Sequence, residues 1–291
     1  MFPLTAIAPA SPWRAFFFSA GLATTALAAA PAAPPELAQV GKPNAAEAAR
    51  LLGQFRRAGL AGEFFFEFDF RALPRRGEER VFKGRLWGGR TALGTTFRVE
   101  LVDALGASHR LLLQNGERAA VWRVIDGRVV ELDAAASMAP LVPGVEVSAF
   151  DLQMPFLYWP GATVEKIARV MGRPAYAYLF NSPPEFLGRS GGVAAARAYL
   201  DTQFNALMQT ELIGPTGRVV KTFSLVDLKK VAEQWIPKQA DYRNEITRDK
   251  TRFQVTGAAL NLRLPAAVFE PSALAISQEP PAAALLVRIE P

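Results

Sequence analysis

Residues suited to acid–base or nucleophilic chemistry are sparse in this sequence. The chain contains one histidine, His109, which directly follows Ser108. A serine nucleophile needs a base within hydrogen-bond reach, whereas adjacent residues of a strand point to opposite faces of the sheet. We therefore interpret this pair as structural rather than catalytic.

Metal, thiol and phosphate chemistry also lack their usual residues. The absence of cysteine excludes a disulfide framework, a zinc–thiolate site and a cysteine nucleophile. An all-oxygen metal site stays formally open. The glycine clusters at residues 84–89 and 190–192 lack the spacing of nucleotide-binding loops. The first indicates a distortion of an edge strand and the second a linker.

Paired carboxylates could support glycoside hydrolysis, and Glu63 and Glu67 are one such pair. Both residues fall on the outer face of a predicted strand, where a solvated surface explains them better than a glycosidase site does. The prediction is therefore a protein that is not an enzyme and has no catalytic residue, no cofactor and no metal.

Apolar surface remains as the candidate site. Residues 63–70 alternate between acidic and aromatic side chains, with Phe65 as the single exception, which predicts a strand with one aromatic face. The residues on that face are Phe64, Phe66, Phe68 and Phe70. With 20 phenylalanines, 5 tryptophans and 5 tyrosines in the chain, such faces either fill a packed core or line a cavity for acyl chains. The sequence leaves both possibilities open.

The elements that position this face are mostly strands. Alternation recurs at residues 97–101, 176–180, 219–225 and 260–264, with turn signals such as Asn115-Gly116 between segments. Spacing of about eight to twelve residues predicts consecutive antiparallel hairpins. One helix is predicted after Asn44, which is a favourable N-cap, and it should end near Gly59.

The alternation breaks between residues 147 and 160. Ser148 can cap a short helix that ends near Pro155. The apolar residues of this segment are Phe150, Leu152, Met154 and Trp159. We expect the segment to cross the concave face of the sheet, either as a lid over a ligand or as a plug in the core.

The amino terminus has the pattern of a secretion signal. Arg14 is the only charge before Glu36, an apolar run follows it, and residues 26–28 offer a small-x-small cleavage site. We predict a cleaved signal peptide at 1–28 and a periplasmic protein, with an uncleaved anchor as the alternative. An Ala/Pro-rich tether at 29–43, one domain at 44–275 and a tail at 276–291 should follow.

The net charge of +6 is scattered along the chain without a run of basic residues. Nucleic-acid binding is therefore not predicted. Electrostatic contact with anionic membrane lipid is compatible with this charge.

The order of short motifs resembles the LolA-like superfamily, specifically its outer membrane lipoprotein-sorting proteins. The similar segments are residues 147–152, 170–179, 198–201, 207–211, 235–237 and 260–271. The resemblance implies an α+β, mostly β fold, in which helices cover the concave face of an incurved antiparallel sheet, a half-barrel. It also implies a periplasmic location. Relatives carry the acyl chains of lipoproteins between membranes, and others sense lipids or regulate stress proteases.

Two functions follow as hypotheses. The first is a periplasmic carrier that holds the acyl chains of lipids or lipoproteins for sorting to the outer membrane. The chains would lie against the four aligned phenylalanines, beneath the segment from Phe150 to Trp159. The second is a non-catalytic protein-interaction or envelope-stress regulatory module with a packed core, whose sheet edges bind partners.

Overall fold

The computed structural model describes residues 37–116, 118–187 and 192–290. The predicted signal peptide at 1–28, residues 29–36 of the predicted tether and residues 190–191 of the second glycine cluster lie outside this part of the chain.

The described residues build one large antiparallel sheet. Its first strands are β1 (Gln39–Gly41), β2 (Glu63–Leu73), β3 (Arg80–Thr91), β4 (Gly94–Val102), β5 (Ser108–Gln114), β6 (Ala120–Ile125), β7 (Arg128–Glu131) and β8 (Thr163–Val170). The remaining strands are β9 (Arg173–Asn181), β10 (Ala195–Asp201), β11 (Leu207–Ile213), β12 (Val219–Val231), β13 (Gln234–Asn244), β14 (Lys250–Leu262) and β15 (Val287–Arg288).

The strand order is β1-β8-β9-β10-β11-β12-β13-β14-β2-β3-β4-β5-β6-β7, with β15 on β14. The sheet is open, because β1 and β7 end it and do not pair with each other. This confirms the predicted mostly β half-barrel of antiparallel strands. Most pairs join strands that are consecutive in the sequence, and the exceptions are β2 with β14 and β1 with β8.

In the part of the chain that the structure describes, four short or medium helices accompany the sheet: α1 (Ala45–Arg57), α2 (Ala134–Ser137), α3 (Ala149–Gln153) and α4 (Pro184–Leu187). Single 3-10 turns cover Pro155–Tyr158, Ala266–Phe269, Pro271–Ala273 and Ala283–Leu285. None of the helices within the described ranges is long and apolar enough to cross a membrane.

Helix α1 begins where its cap was predicted. The Asn44 side chain accepts hydrogen bonds from the backbone N–H groups of Ala46 and Glu47 at 3.0 and 3.1 Å, which satisfies donors that a helix start leaves free. The helix buries Ala48, Leu51 and Leu52. Its apolar stripe therefore docks on the sheet, as the sequence pattern indicated.

The glycines of β3 do not distort an edge strand, contrary to the expectation for residues 84–89. Strand β3 lies inside the sheet between β2 and β4, with Gly84 opposite Phe68 and Gly88 opposite Phe64. A Cβ atom at Gly88 would lie 2.1 Å from Phe64 Cζ, and one at Gly84 would lie 2.2 Å from Phe68 Cζ. The glycines thus let each phenylalanine ring lie across the neighbouring strand.

The sheet extends beyond both predicted domain boundaries, 44 and 275. In the predicted tether, β1 pairs with β8. In the predicted tail, β15 pairs with Gly257 and Ala258 of β14, and Ile289 is buried. This is possible because β13 pairs with β14 only as far as Gln254, so the next residues of β14 have a free edge. A Pro/Ala-rich composition gave no indication of this pairing.

A buried arginine fastens the C-terminal segment to β4. The Arg98 side chain is completely buried and donates to Glu100 at 2.9 and 3.1 Å. It also donates to the carbonyl groups of Ala273, Leu274 and Ile276. Residues 273–278 therefore cover the face of β4 that carries Arg98 and Glu100. From the sequence alone, these polar side chains would be expected on a solvated face.

A cluster of charges where β13 pairs with β14 makes the stability of the fold depend on pH in the acidic range. Asp241 accepts hydrogen bonds from Arg252 at 2.7 and 2.9 Å and from Lys250 at 3.2 Å. Burial alone would raise the pKa of Asp241, but these hydrogen bonds outweigh it and hold the pKa below its ordinary value. Because the folded pKa is depressed, the stabilisation is complete above the unfolded pKa of about 4. It is lost as pH falls through the folded value.

We expect Asp241→Asn to remove about 1.5–3 kcal/mol of unfolding free energy at neutral pH and to flatten the loss of stability in acid. Urea unfolding at a series of pH values measures both effects. Asp69→Asn is the matched control, because Asp69 meets the exposed Lys83 at a longer 3.4 Å. An unchanged acid dependence in Asp241→Asn would contradict the assignment.

Candidate functional site

The segment that interrupts the strand pattern forms as predicted. We call residues 148–159 the α3 segment. Ser148 Oγ accepts from the N–H of Asp151 at 3.1 Å, and Asp151 Oδ2 accepts from the N–H of Ser148 at 2.8 Å, which is a reciprocal capping box. The helix ends at Met154, whose φ of 50° is left-handed, and Pro155 prevents its continuation.

The α3 segment joins two hydrophobic clusters. The aligned phenylalanines of β2 belong to the first cluster, with Leu152 and Met154 packed against it. Phe150 and Trp159 belong to the second cluster, together with the buried residues of α1. Met154 contacts both clusters. The structure thus brings the eight predicted site residues to two neighbouring clusters that share one crossing segment.

The aromatic face of β2 is covered by protein. Phe64 is the most exposed of its four rings at 6%, and Phe70 is completely buried. The Phe68 ring lies 4.9 Å from the rings of both Phe70 and Phe253. The surface proposed for acyl chains is therefore filled by side chains of the chain itself.

The β12–β13 hairpin covers the same face beside the α3 segment. Val231 and Ile236 near its turn are buried in the first cluster. Gln234 accepts from the N–H of Ala61 at 2.7 Å and donates to Asn261 at 3.0 Å. Trp235 points away from this interface and is 62% exposed. A ligand on the phenylalanine face would therefore lie beneath both the α3 segment and the β12–β13 hairpin.

A small cavity lies where the α3 segment meets strands β11, β12 and β13. Its volume is about 10 Å³, which is room for about one water molecule. The lining residues are Asp151, Met154, Phe156, Thr210, Leu212, Lys221, Phe223 and Tyr242. Met154 is the one residue that this cavity shares with the predicted site.

The polar side of the cavity is built around an ion pair. Lys221 Nζ donates to Asp151 Oδ2 at 2.7 Å, and the two side chains are 20% and 5% exposed. Burial raises the pKa of the Tyr242 phenol, and the charge of Asp151 raises it further. The Tyr242 hydroxyl therefore stays protonated and remains a hydrogen-bond donor.

Sequence reasoning missed Lys221, although a signal for it exists. In the predicted strand Lys221 lies on the same face as Val219, Phe223 and Leu225, because these residues are two positions apart. It is therefore a charged residue on an otherwise apolar face. A charged residue on such a face is expected to be paired when it is buried. Its partner could not be inferred, because Asp151 lies far away in the sequence.

The lone histidine is held in a polar network. His109 Nε2 lies 2.8 Å from Asp103 Oδ2, and its Nδ1 lies 3.1 Å from Arg123 Nη2. Ser108 is its neighbour on the same strand, so the two side chains point to opposite faces. Among the described residues, no group of acidic or histidine side chains is placed to hold a metal ion.

Comparisons with known proteins concern the fold. A family model described as "Uncharacterized protein" matches residues 194–275. No curated protein matches the sequence. A solved domain from Vibrio parahaemolyticus, assigned as an outer membrane lipoprotein-sorting protein, is similar at 15% identity. The match has a TM-score of 0.64 and covers 77% of this chain and 97% of that one.

Two further solved structures share the architecture over 77% of this chain. A DUF1329 family protein from Desulfovibrio piger has 14% identity, a TM-score of 0.64 and 96% of its own chain covered. A LolA superfamily protein from Nitrosomonas europaea has 12% identity, a TM-score of 0.58 and 97% of its chain covered. At such identities the likeness concerns the fold of the backbone.

Proposed function

On the premise that the chain has the LolA-like fold, we propose that it is a periplasmic carrier for the acyl chains of lipids or lipoproteins. Its cargo would be delivered towards the outer membrane. The targeting pattern at residues 1–28 supports the location. The assignment of the Vibrio parahaemolyticus domain to lipoprotein sorting agrees with the cargo.

The observation that carries this proposal is the place of the α3 segment on the phenylalanine face. Its half-buried Leu152 and Met154 pack against the aromatic cluster, in the position that an acyl chain would take. In this proposal the segment is a lid whose own side chains substitute for the ligand. Methionine suits such an exchange, because its unbranched side chain adapts to different neighbours.

The energetics permit the exchange. An acyl chain of about fifteen methylenes gains roughly 12 kcal/mol when it leaves water. Displacing only Leu152 and Met154 from the phenylalanine face exposes two partly buried apolar side chains, each worth at most roughly 1.5–3 kcal/mol. Ligand entry therefore needs only a local opening of the α3 segment, while the pairing of the sheet is kept.

The packed interior favours the second candidate, a protein-interaction or regulatory module. Native mass spectrometry of the protein purified from its own cell envelope separates the two functions. Bound lipid supports the carrier, whereas a mass without ligand together with a co-purifying protein supports the module.

We predict that adding palmitate accelerates thiol labelling of a Leu152→Cys variant severalfold, since the ligand would lift the lid. The chain has no cysteine of its own, so the introduced thiol is labelled uniquely. Thr163→Cys, at an exposed position in β8, is the control, and its labelling rate should stay constant. An unchanged labelling rate of Leu152→Cys with saturating palmitate, and no bound lipid in the mass spectrum, would refute the carrier.

A further inference from the structure

The cavity beside the α3 segment is lined by three side chains that can donate hydrogen bonds. Lys221 projects into it from β12, and the neighbouring strands β11 and β13 contribute Thr210 and Tyr242. These two residues are 3% and 5% exposed. One ammonium group and two side chains that bear hydroxyl groups thus line the same small space.

A single carboxylate, that of Asp151, pairs with the ammonium group of Lys221. Asp151 Oδ2 accepts from Lys221 Nζ and also from the N–H and Oγ of Ser148, at 2.8 and 2.6 Å. Three donors therefore converge on one oxygen atom. This carboxylate belongs to the lid, whereas Lys221 belongs to the sheet. In the proposed opening the anion would leave with the lid, and the cation would stay on the sheet.

We propose that Lys221, Thr210 and Tyr242 form a binding site for the anionic headgroup of the acyl ligand, a site that Asp151 occupies while the lid is closed. This inference rests on the proposed carrier function and adds its ligand class. The headgroup chemistry is a carboxylate or a phosphate monoester attached to the acyl chain.

The physical reason is the cost of a partly desolvated charge without a partner. Leu212, Phe223 and Phe156 line the cavity together with Lys221, whose side chain is 20% exposed, and an ammonium group in such surroundings is destabilised when its counter-charge is removed. A neutral ligand that opens the lid leaves Lys221 in that state. An anionic ligand replaces Asp151, and the hydroxyls of Thr210 and Tyr242 can donate to its remaining oxygens.

The test compares palmitate, methyl palmitate and palmitoyl lysophosphatidate, which share one acyl chain. Dissociation constants for the full-length mature protein are measured by displacement of a fluorescent acyl probe. One charge-assisted hydrogen bond corresponds to roughly ten- to a hundredfold in affinity. We expect wild-type protein to prefer palmitate over its methyl ester by that factor. The relative affinity of the lysophosphatidate then distinguishes a phosphate site from a carboxylate site.

Lys221→Met should reduce the preference for the acid to within about twofold, because the side chain keeps its length and loses its charge. Lys229→Met makes the same change at an exposed position of the same strand and should keep the wild-type preference. Circular dichroism checks that both variants fold. Should Lys221→Met unfold, Thr210→Val and Tyr242→Phe replace it, each with a smaller loss of preference expected.

The outcomes separate this inference from the proposed function. Equal binding of acid and ester by wild-type protein, or a preference that survives in a folded Lys221→Met variant, overturns the headgroup site and leaves the carrier standing. Binding of none of the three ligands overturns the carrier, and the headgroup site with it.

Discussion

Replacing Arg98 by methionine is expected to lower the free energy of unfolding by about 3–5 kcal/mol, the usual consequence of removing one partner of a buried ion pair. The side chain is completely buried. Its loss leaves the carboxylate of Glu100 without the paired guanidinium and leaves the carbonyl groups of Ala273, Leu274 and Ile276 without this donor.

Urea unfolding measures this loss, and limited proteolysis shows whether residues 273–278 detach from β4. Arg118→Met is the matched control, because Arg118 and Glu131 are exposed and 3.4 Å apart, so the expected change is below about 1 kcal/mol. The double variant Arg98→Met with Glu100→Leu should recover part of the stability, since it removes both charges. Equal losses of stability in Arg98→Met and Arg118→Met would contradict the conclusion that buried Arg98 holds the C-terminal segment on β4.

Gly88→Ala should destabilise the sheet by about 1–3 kcal/mol, although alanine is ordinarily harmless in a strand. The added methyl group would lie 2.1 Å from Phe64 Cζ. That ring is buried and contacts Phe66 with ring centroids 4.9 Å apart. It can move aside only by displacing its neighbours in the first cluster.

Thermal and urea unfolding should show opposite changes in stability for two glycine variants. Gly88→Ala should lower the free energy of unfolding, and Gly53→Ala should raise it. Gly53 lies in the middle of α1, where a Cβ atom would meet Arg57 at an ordinary 3.5 Å, so alanine should stabilise the protein by up to about 1 kcal/mol. In a Phe64→Leu background the cost of Gly88→Ala should shrink, because the clashing ring is gone. A stable Gly88→Ala protein would show that the ring does not lie across β3.

Local features of the fold were predictable because their causes lie within a few residues. Asn44 and Ser148 mark helix starts by hydrogen bonds to N–H groups next to them, and Pro155 marks a helix end. Alternation along β2 placed its four phenylalanines on one face. The antiparallel topology followed from turn spacing and from the resemblance to LolA-like proteins.

Features that depend on distant segments were not predictable. Arg98 and Glu100 alternate with apolar residues, as on a solvated strand, and only the C-terminal segment buries them. The role of Gly84 and Gly88 depends on the β2–β3 register, which sets each glycine opposite a ring. Lys221 and Asp151 meet because α3 crosses β12. Periodicity identifies the faces of an element, and it does not identify what covers them.

The pairing of β2 with β14 has a consequence for folding kinetics. It joins residues near position 63 to residues near position 262, so the phenylalanine-rich strand gains its second neighbour only after most of the chain is available. Sheets dominated by such distant pairings fold slowly, and until then the aromatic strand keeps an open edge prone to association with other chains. A chaperone that shields residues 63–70 should therefore raise the yield of refolding more than one that acts on the local β3–β7 meander.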